Sequence, residues 1–126
     1  MKRLSSSLTE VNKFLKDQNY RIITQNYRKP WGEIDIITQS PQGILIFIEV
    51  KTLNPAIIQP GNLAGLTPED NLTKSKLQKI QKTCLAFANS NPHLVNQKKG
   101  WQIDLVTVTP KTRIENYSPE SLLKNY

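Results

Sequence analysis

The 126-residue chain has one cysteine, Cys84, and one histidine, His93. A single cysteine excludes an intramolecular disulfide framework and a cysteine-built zinc cluster. The lone histidine follows Asn91-Pro92 in turn chemistry, has no partner for a catalytic triad, and reads as a surface residue. No stretch approaches the ~18 apolar residues of a membrane span. The opening Met1-Lys2-Arg3-Leu4-Ser5-Ser6-Ser7 is basic but lacks the apolar segment of a secretory signal, so a cytoplasmic location is the expectation. Acidic residues are the minority. Seventeen basic residues against ten acidic ones leave a net charge of +7 and a pI of about 9.6. That balance suits an anionic partner such as nucleic acid, a ribosome or a membrane surface, and says nothing about fold.

What is present describes one soluble domain. The length is enough for a core without disulfide or metal staples. Apolar residues make up 37% and recur along the whole chain, which excludes disorder. Leu8, Val11, Phe14 and Leu15 fall at helical spacing, so residues 7–18 read as a first helix, with Ser7 and Glu10 as a capping box and Asn19 as its stop. Tyr20 to Tyr27 reads as a strand, broken by Lys29-Pro30-Trp31-Gly32. Glu33-Ile34-Asp35-Ile36-Ile37-Thr38 alternates acid and aliphatic residues and predicts a second strand with two distinct faces. Ser40-Pro41-Gln42-Gly43 is turn chemistry. Ile44-Leu45-Ile46-Phe47-Ile48-Glu49-Val50-Lys51 is apolar on both faces until its end, as a central strand covered on both sides would be.

Residues 53–71 hold Pro55, Pro60, Pro68, Gly61 and Gly65 and read as a long loop. A second helix starts at Thr67-Pro68 or at Thr73, shows an apolar face of Leu77, Ile80, Cys84, Phe87 and Ala88, and ends near Asn91-Pro92. Gln102 to Val108 is a last strand. The tail, 111–126, is poorly patterned, with one helical turn near Ser118–Leu123. The order is α-β-β-β-α-β. The second helix acts as a right-handed crossover, making the last strand parallel to the third. The expected fold is α/β: a mixed sheet between helices in a three-layer α/β/α sandwich, with a core over about 8–108.

Glu33 and Asp35 share one face of their strand, and Glu49 and Lys51 share one face of the next. An odd number of turn residues, such as Gln39 to Gly43, puts both pairs on the same side of the sheet, whereas an even number separates them unless a bulge intervenes. Up to three carboxylates and an ammonium then crowd one sheet edge. Like charges so packed call for a divalent cation, and oxygen ligands of this kind suit Mg²⁺ or Mn²⁺. Such an ion activates water and polarises a phosphate, with Lys51 positioned to neutralise transition-state charge. The competing reading is a pair of solvated salt bridges, because an isolated Glu-X-Lys matches by chance.

The set Gly32-Glu33-Ile34-Asp35, a short hairpin, then Phe47-Ile48-Glu49-Val50-Lys51 resembles the PD-(D/E)XK nuclease superfamily. More narrowly it resembles the bacterial YraN family of predicted nucleases, similar to archaeal Holliday junction resolvases. Asn19-Tyr20, Asn26-Tyr27-Arg28, Leu72-Thr73-Lys74-Ser75-Lys76 and Gln102-Ile103-Asp104-Leu105-Val106 extend the likeness over about 8–108. The resemblance implies the restriction-endonuclease-like fold and metal-dependent cleavage of phosphodiester bonds in DNA, including branched DNA. It implies Asp35 and Glu49 as metal ligands, Glu33 as a further candidate ligand, Lys51 as the catalytic lysine, and Lys76 near the site or the phosphate backbone. It also allows a homodimer, since the related resolvases pair two subunits, although no apolar patch in the sequence demands one. The chain departs from the family pattern at its first-helix glutamate (Ser7-Leu8 stand there, with Glu10 off register), at Leu53 and at Gln102. Those departures sustain an alternative, a catalytically silent nucleic-acid-binding module of the same fold. A protein–protein adaptor using the basic helix and the 53–71 loop is a third reading.

Lys74, Lys76, Lys79 and Lys82 crowd the second helix. They form either a phosphate track, with salt-sensitive binding, or a solvated face whose stems cover Ile80. Cys84 lies on the apolar helix face and reads as core. Trp31 and Tyr27 flank the acidic strand, where they either stack on a base or pack. Asp104 reads as a structural or supporting carboxylate, not a ligand.

Overall fold

Helix α1 (Ser6–Asp17) buries Leu8, Val11 and Leu15, which its periodicity lines up on one face. It stops in a Schellman arrangement: Asn19 takes φ 66°, Asn19 N–H donates to the Lys16 carbonyl, and Tyr20 N–H donates to the Leu15 carbonyl. The helix begins at Ser6, so Ser7 stands inside it rather than capping it. A computed structural model describes residues 6–52, 73–108 and 114–117. The 53–71 loop, the alternative helix start at Thr67-Pro68 and the helical turn expected near Ser118–Leu123 lie outside the described residues.

Strands β1 (Arg21–Lys29), β2 (Gly32–Gln39) and β3 (Leu45–Thr52) form an antiparallel meander. After β3 the chain crosses over through helix α2 (Lys74–Ser90) to strand β4 (Trp101–Val108), which runs parallel to β3. A short strand β5 (Ile114–Tyr117) pairs antiparallel with β4 and closes a five-stranded sheet in the order β1-β2-β3-β4-β5. Strand β5 lies in the tail that the sequence left unpatterned, since four residues of Ile-Glu-Asn-Tyr give too short an alternation to detect. Helix α2 starts at Thr73, whose Oγ1 accepts the Lys76 N–H at 3.1 Å. It ends at Asn91, whose Nδ2 donates to the Phe87 carbonyl.

The sheet is covered on both faces. On one, Ile34, Ile37, Leu45, Phe47 and Ile103 pack against Leu77, Ile80, Cys84, Phe87 and Ala88 of α2. On the other, Ile36, Ile46, Ile48, Val106 and Val108 pack against Leu8, Val11 and Leu15 of α1. Strand β3 contributes to both clusters, as a run apolar on both faces must. The result is the expected three-layer α/β/α fold with a mixed sheet and the α-β-β-β-α-β order, extended by β5. Among the described residues, no helix is long and apolar enough to cross a membrane.

Candidate active site

The turn between β2 and β3 is five residues, Ser40–Ile44, one position later than expected but odd in number. The register runs Gln39↔Leu45, Thr38↔Ile46, Ile37↔Phe47 and Ile36↔Ile48. Continued one pair further, it sets Asp35 opposite Glu49, on the α2 side where Leu45 and Phe47 lie. The paired ladder stops at Ile36↔Ile48. Beyond it, Asp35 Oδ2 accepts the backbone N–H of Val50 at 2.8 Å. A side chain thus takes over where the strands separate.

Strict alternation fails at this point. Ile34 packs on the α2 side and Ile36 on the α1 side, although two residues along a strand normally share a face. Between them Asp35 is turned toward β3, which explains its bond to the Val50 backbone. On the neighbouring strand, the pairs Gln25↔Ile36 and Tyr27↔Ile34 bracket Asn26, which has a left-handed φ of 52°. Few residues other than glycine take that conformation, asparagine most readily. The Asn26 Oδ1 is buried without a hydrogen-bond partner. Asn26 is the site feature that sequence reasoning missed; its signal was an asparagine in the middle of a strand.

The electrostatics are strained. Burial pushes the Glu49 carboxyl up to about 8, the Asp35 charge adds to the rise, and Lys51 opposes it. A hydrogen bond from the Asp35 backbone N–H also holds the Glu49 carboxyl down, and Glu33 adds a smaller push upward. One Glu49 oxygen, Oε1, is buried with no hydrogen-bond partner. Glu33 itself faces β1, where its carboxylate lies 3.3 Å from Arg28 Nε. Among the described residues no group of three or more His, Cys, Asp and Glu side chains converges, so the cluster is a carboxylate pair flanked by Lys51. The donors are carboxylate oxygens, the chemistry that Mg²⁺ and Mn²⁺ prefer. The unpartnered Oε1 and the mutual repulsion of the pair fit such a cation.

The crossover sets α2 antiparallel to β3, so its N-terminal turn stands at the sheet end where β3 delivers Glu49 and Lys51. Lys74, Lys76 and Lys79 lie exposed on that helix. Gly32 shows how close the helix comes: a Cβ there would stand 2.5 Å from Thr83 Oγ1 and 3.3 Å from the Lys79 carbonyl oxygen. Lys82 places its ammonium 4.6 Å from the Trp31 ring centre. Tyr27 instead packs edge-on against Phe87, with ring centres 5.1 Å apart. Cys84 is fully buried; burial and then the Glu49 charge push its thiol up, so it is core and no nucleophile. Asp104 accepts from Gln102 Nε2 at 3.0 Å and shares the α1 side with Val106 and Val108, across the sheet from Glu49. Burial raises its pKa, and the Gln102 bond opposes the rise.

The chain is similar to a set of known proteins. The family described as "Uncharacterised protein family UPF0102" matches residues 9–108. Similar proteins include the UPF0102 protein of Pseudothermotoga lettingae, 33% identical over 105 residues and covering 81% of this chain and 83% of the relative. Another is the UPF0102 protein Ccon26_01140 of Campylobacter concisus, 33% identical and covering 90% of each chain. Among solved structures, SfsA of Pyrococcus furiosus in complex with Ca²⁺ is similar at 16% identity and a TM-score of 0.39. That likeness covers 86% of this chain and 58% of the SfsA chain.

Proposed function

The chain belongs to the UPF0102 family, the YraN family of the sequence resemblance, and from that premise we propose that it is a metal-dependent nuclease hydrolysing phosphodiester bonds in DNA. The observation that carries the reading is the forced meeting of Asp35 and Glu49, with an unpartnered buried oxygen on Glu49 and Lys51 beside it. Natural proteins leave few buried polar atoms unsatisfied, and those they leave are often functional. Asp35 and Glu49 would hold Mg²⁺ or Mn²⁺. The bond from Val50 N–H holds the Asp35 carboxylate in place where β2 and β3 part. A bound divalent cation supplies Lewis acidity toward a phosphate oxygen and lowers the pKa of water. Lys51 supplies a fixed positive charge where the pentavalent phosphate gains negative charge, and it orients the attacking water. Water adds to phosphorus and gives up a proton to solvent, the ester P–O bond breaks, and the leaving oxygen takes a proton from solvent. Glu33, engaged with Arg28, is a supporting acidic neighbour and a further candidate ligand. Lys74, Lys76 and Lys79 line the approach for the phosphate backbone.

A second reading, the catalytically silent nucleic-acid-binding module, is favoured by one observation: no third carboxylate or histidine converges among the described residues. Cleavage of labelled duplex, single strand, flap and four-way junction with Mg²⁺, Mn²⁺ or EDTA separates the two. Metal-dependent cutting that Lys51→Ala abolishes is the expected result. Salt-sensitive binding without cutting in any metal would establish the silent module instead.

A further inference from the structure

We propose that Trp31 is a stacking platform for an unpaired nucleobase, which makes the preferred substrate a nucleic acid with a single-stranded segment beside the cleaved bond. The inference rests on the nuclease reading and adds a substrate class to it. Tyr27, Phe47, Phe87 and Trp101 spend their rings on one another in edge-to-face contacts. Trp31 does not join them. It sits at the tip of the two-residue turn between β1 and β2, about a third exposed (36%). A single exposed apolar side chain is ordinary on a protein surface; what distinguishes Trp31 is its fixed turn and cationic surroundings beside the acidic strand.

The turn is held rigidly. Lys29 pairs with Gly32 to close it, and Gly32 presses against α2 so tightly that a Cβ would collide with Thr83. Thr83 is itself buried and bonded to the Lys79 carbonyl at 2.7 Å, which limits its freedom to give way. A rigid aromatic loses little entropy on binding. The surroundings are cationic: Arg28 and Lys29 precede the turn, and Lys82 lies over the ring. Arg28 already neutralises the nearest carboxylate, Glu33. Lys82 is an exposed side chain, free to exchange the ring for a phosphate when a base arrives. From Trp31 in the turn to Asp35 on β2 is four positions, about 13 Å at ~3.3 Å per extended residue. That distance spans roughly four stacked bases. In a duplex both faces of a base are already stacked, so a protein ring selects a base that has lost a neighbour.

The test is binding by the full chain in EDTA, where no bond is cut. Tryptophan emission is followed as a short oligothymidylate, or a duplex of equal length, is added. Single strand is expected to quench the emission, and Trp31→Phe, which keeps only Trp101, to lose that quench. Trp31→Ala should weaken single-strand binding roughly tenfold or more and leave duplex binding unchanged, with Trp31→Phe restoring most of the affinity. Equal losses for strand and duplex, or a bound strand with unquenched emission, would overturn the proposal. Failure of either kind alongside metal-dependent cleavage defeats the stacking platform alone. Selective stacking with cleavage indifferent to Asp35→Ala and Lys51→Ala defeats the nuclease reading alone. No binding of any oligonucleotide overturns both.

Discussion

The β2–β3 hairpin treats buried polar groups differently at its two ends. At the turn end, Thr38 and Ser40 are buried and bonded: Thr38 Oγ1 donates to the Arg21 carbonyl at 2.8 Å, and Ser40 Oγ accepts the Ile44 N–H at 3.1 Å. Arg21 also bonds to Gln39 across the β1–β2 pair. At the open end, Asp35 and Glu49 are pushed together, and one carboxylate oxygen is left without a partner. The same two strands therefore carry a satisfied structural end and an unsatisfied end. Satisfaction at the turn fixes the register, and that register sets the carboxylates opposite one another. That the cost is tolerated at only one end supports placing the proposed metal site there.

The strongest way to break the comparison is to strip the open end. Asp35→Ala, Glu49→Ala and Lys51→Ala should each lower the cleavage rate by on the order of 10²–10³-fold or more while leaving the protein folded. Single-turnover cleavage in Mg²⁺, with circular dichroism as a folding control, checks it. Activity equal to wild type in any of the three would remove that residue from the chemistry.

Thr38→Val attacks the other end. It keeps the shape but leaves the Arg21 carbonyl without its hydroxyl partner, so it should cost about 1–3 kcal/mol. Urea unfolding reads the loss, and the metal concentration needed for half-maximal cleavage should not move.

Asn26 links strand geometry to site geometry. At its φ of 52°, Asn26→Gly should be tolerated, whereas Asn26→Val should cost about 1–3 kcal/mol in chemical unfolding. Amide exchange at Val50 offers a local readout. Faster exchange in Asn26→Val than in Asn26→Gly would show that the bend holds Asp35 on that N–H, and equal exchange would show that it does not.

A further effect is expected in the pH dependence of the metal-free protein. Glu49 titrates near 8 in the folded chain against 4.5 for the ordinary group. Between those values the folded state keeps a proton that the unfolded state has released. Stability therefore falls as pH rises through that window. Thermal unfolding in EDTA from pH 5 to 8 should show the decline, and Glu49→Gln should flatten it. Added Mg²⁺ should restore wild-type stability at pH 8 and do little for Glu49→Gln. A wild-type profile that stays flat in EDTA would show that the open end is not strained as described.

Much of this was legible beforehand. The apolar run of β3 announced a strand covered on both faces, the periodicities of Leu8–Leu15 and Leu77–Ala88 announced the two helices, and odd turn parity joined Asp35 to Glu49. The sequence also singled out Trp31 and Tyr27 together without separating them; packing did that, giving Tyr27 to Phe87 and leaving Trp31 exposed. Glu33 belonged to the same acidic pattern as Asp35, yet Arg28 on the adjacent strand claims it. Strand β5 escaped because its four residues are too few to show a pattern, and its pairing is supplied by the adjacent edge of β4.

By itself, then, the sequence determined the layers, the strand order around the crossover and which charged side chains Asp35, Glu49 and Lys51 bring to β2 and β3, because periodicity and residue type are local properties. The bend at Asn26, the turning of Asp35 onto the Val50 N–H, the orphaned Glu49 oxygen and the exposure of Trp31 belong to the tertiary structure. Each depends on what a neighbouring strand or helix offers at one point in space, and no pattern along a single chain segment encodes that.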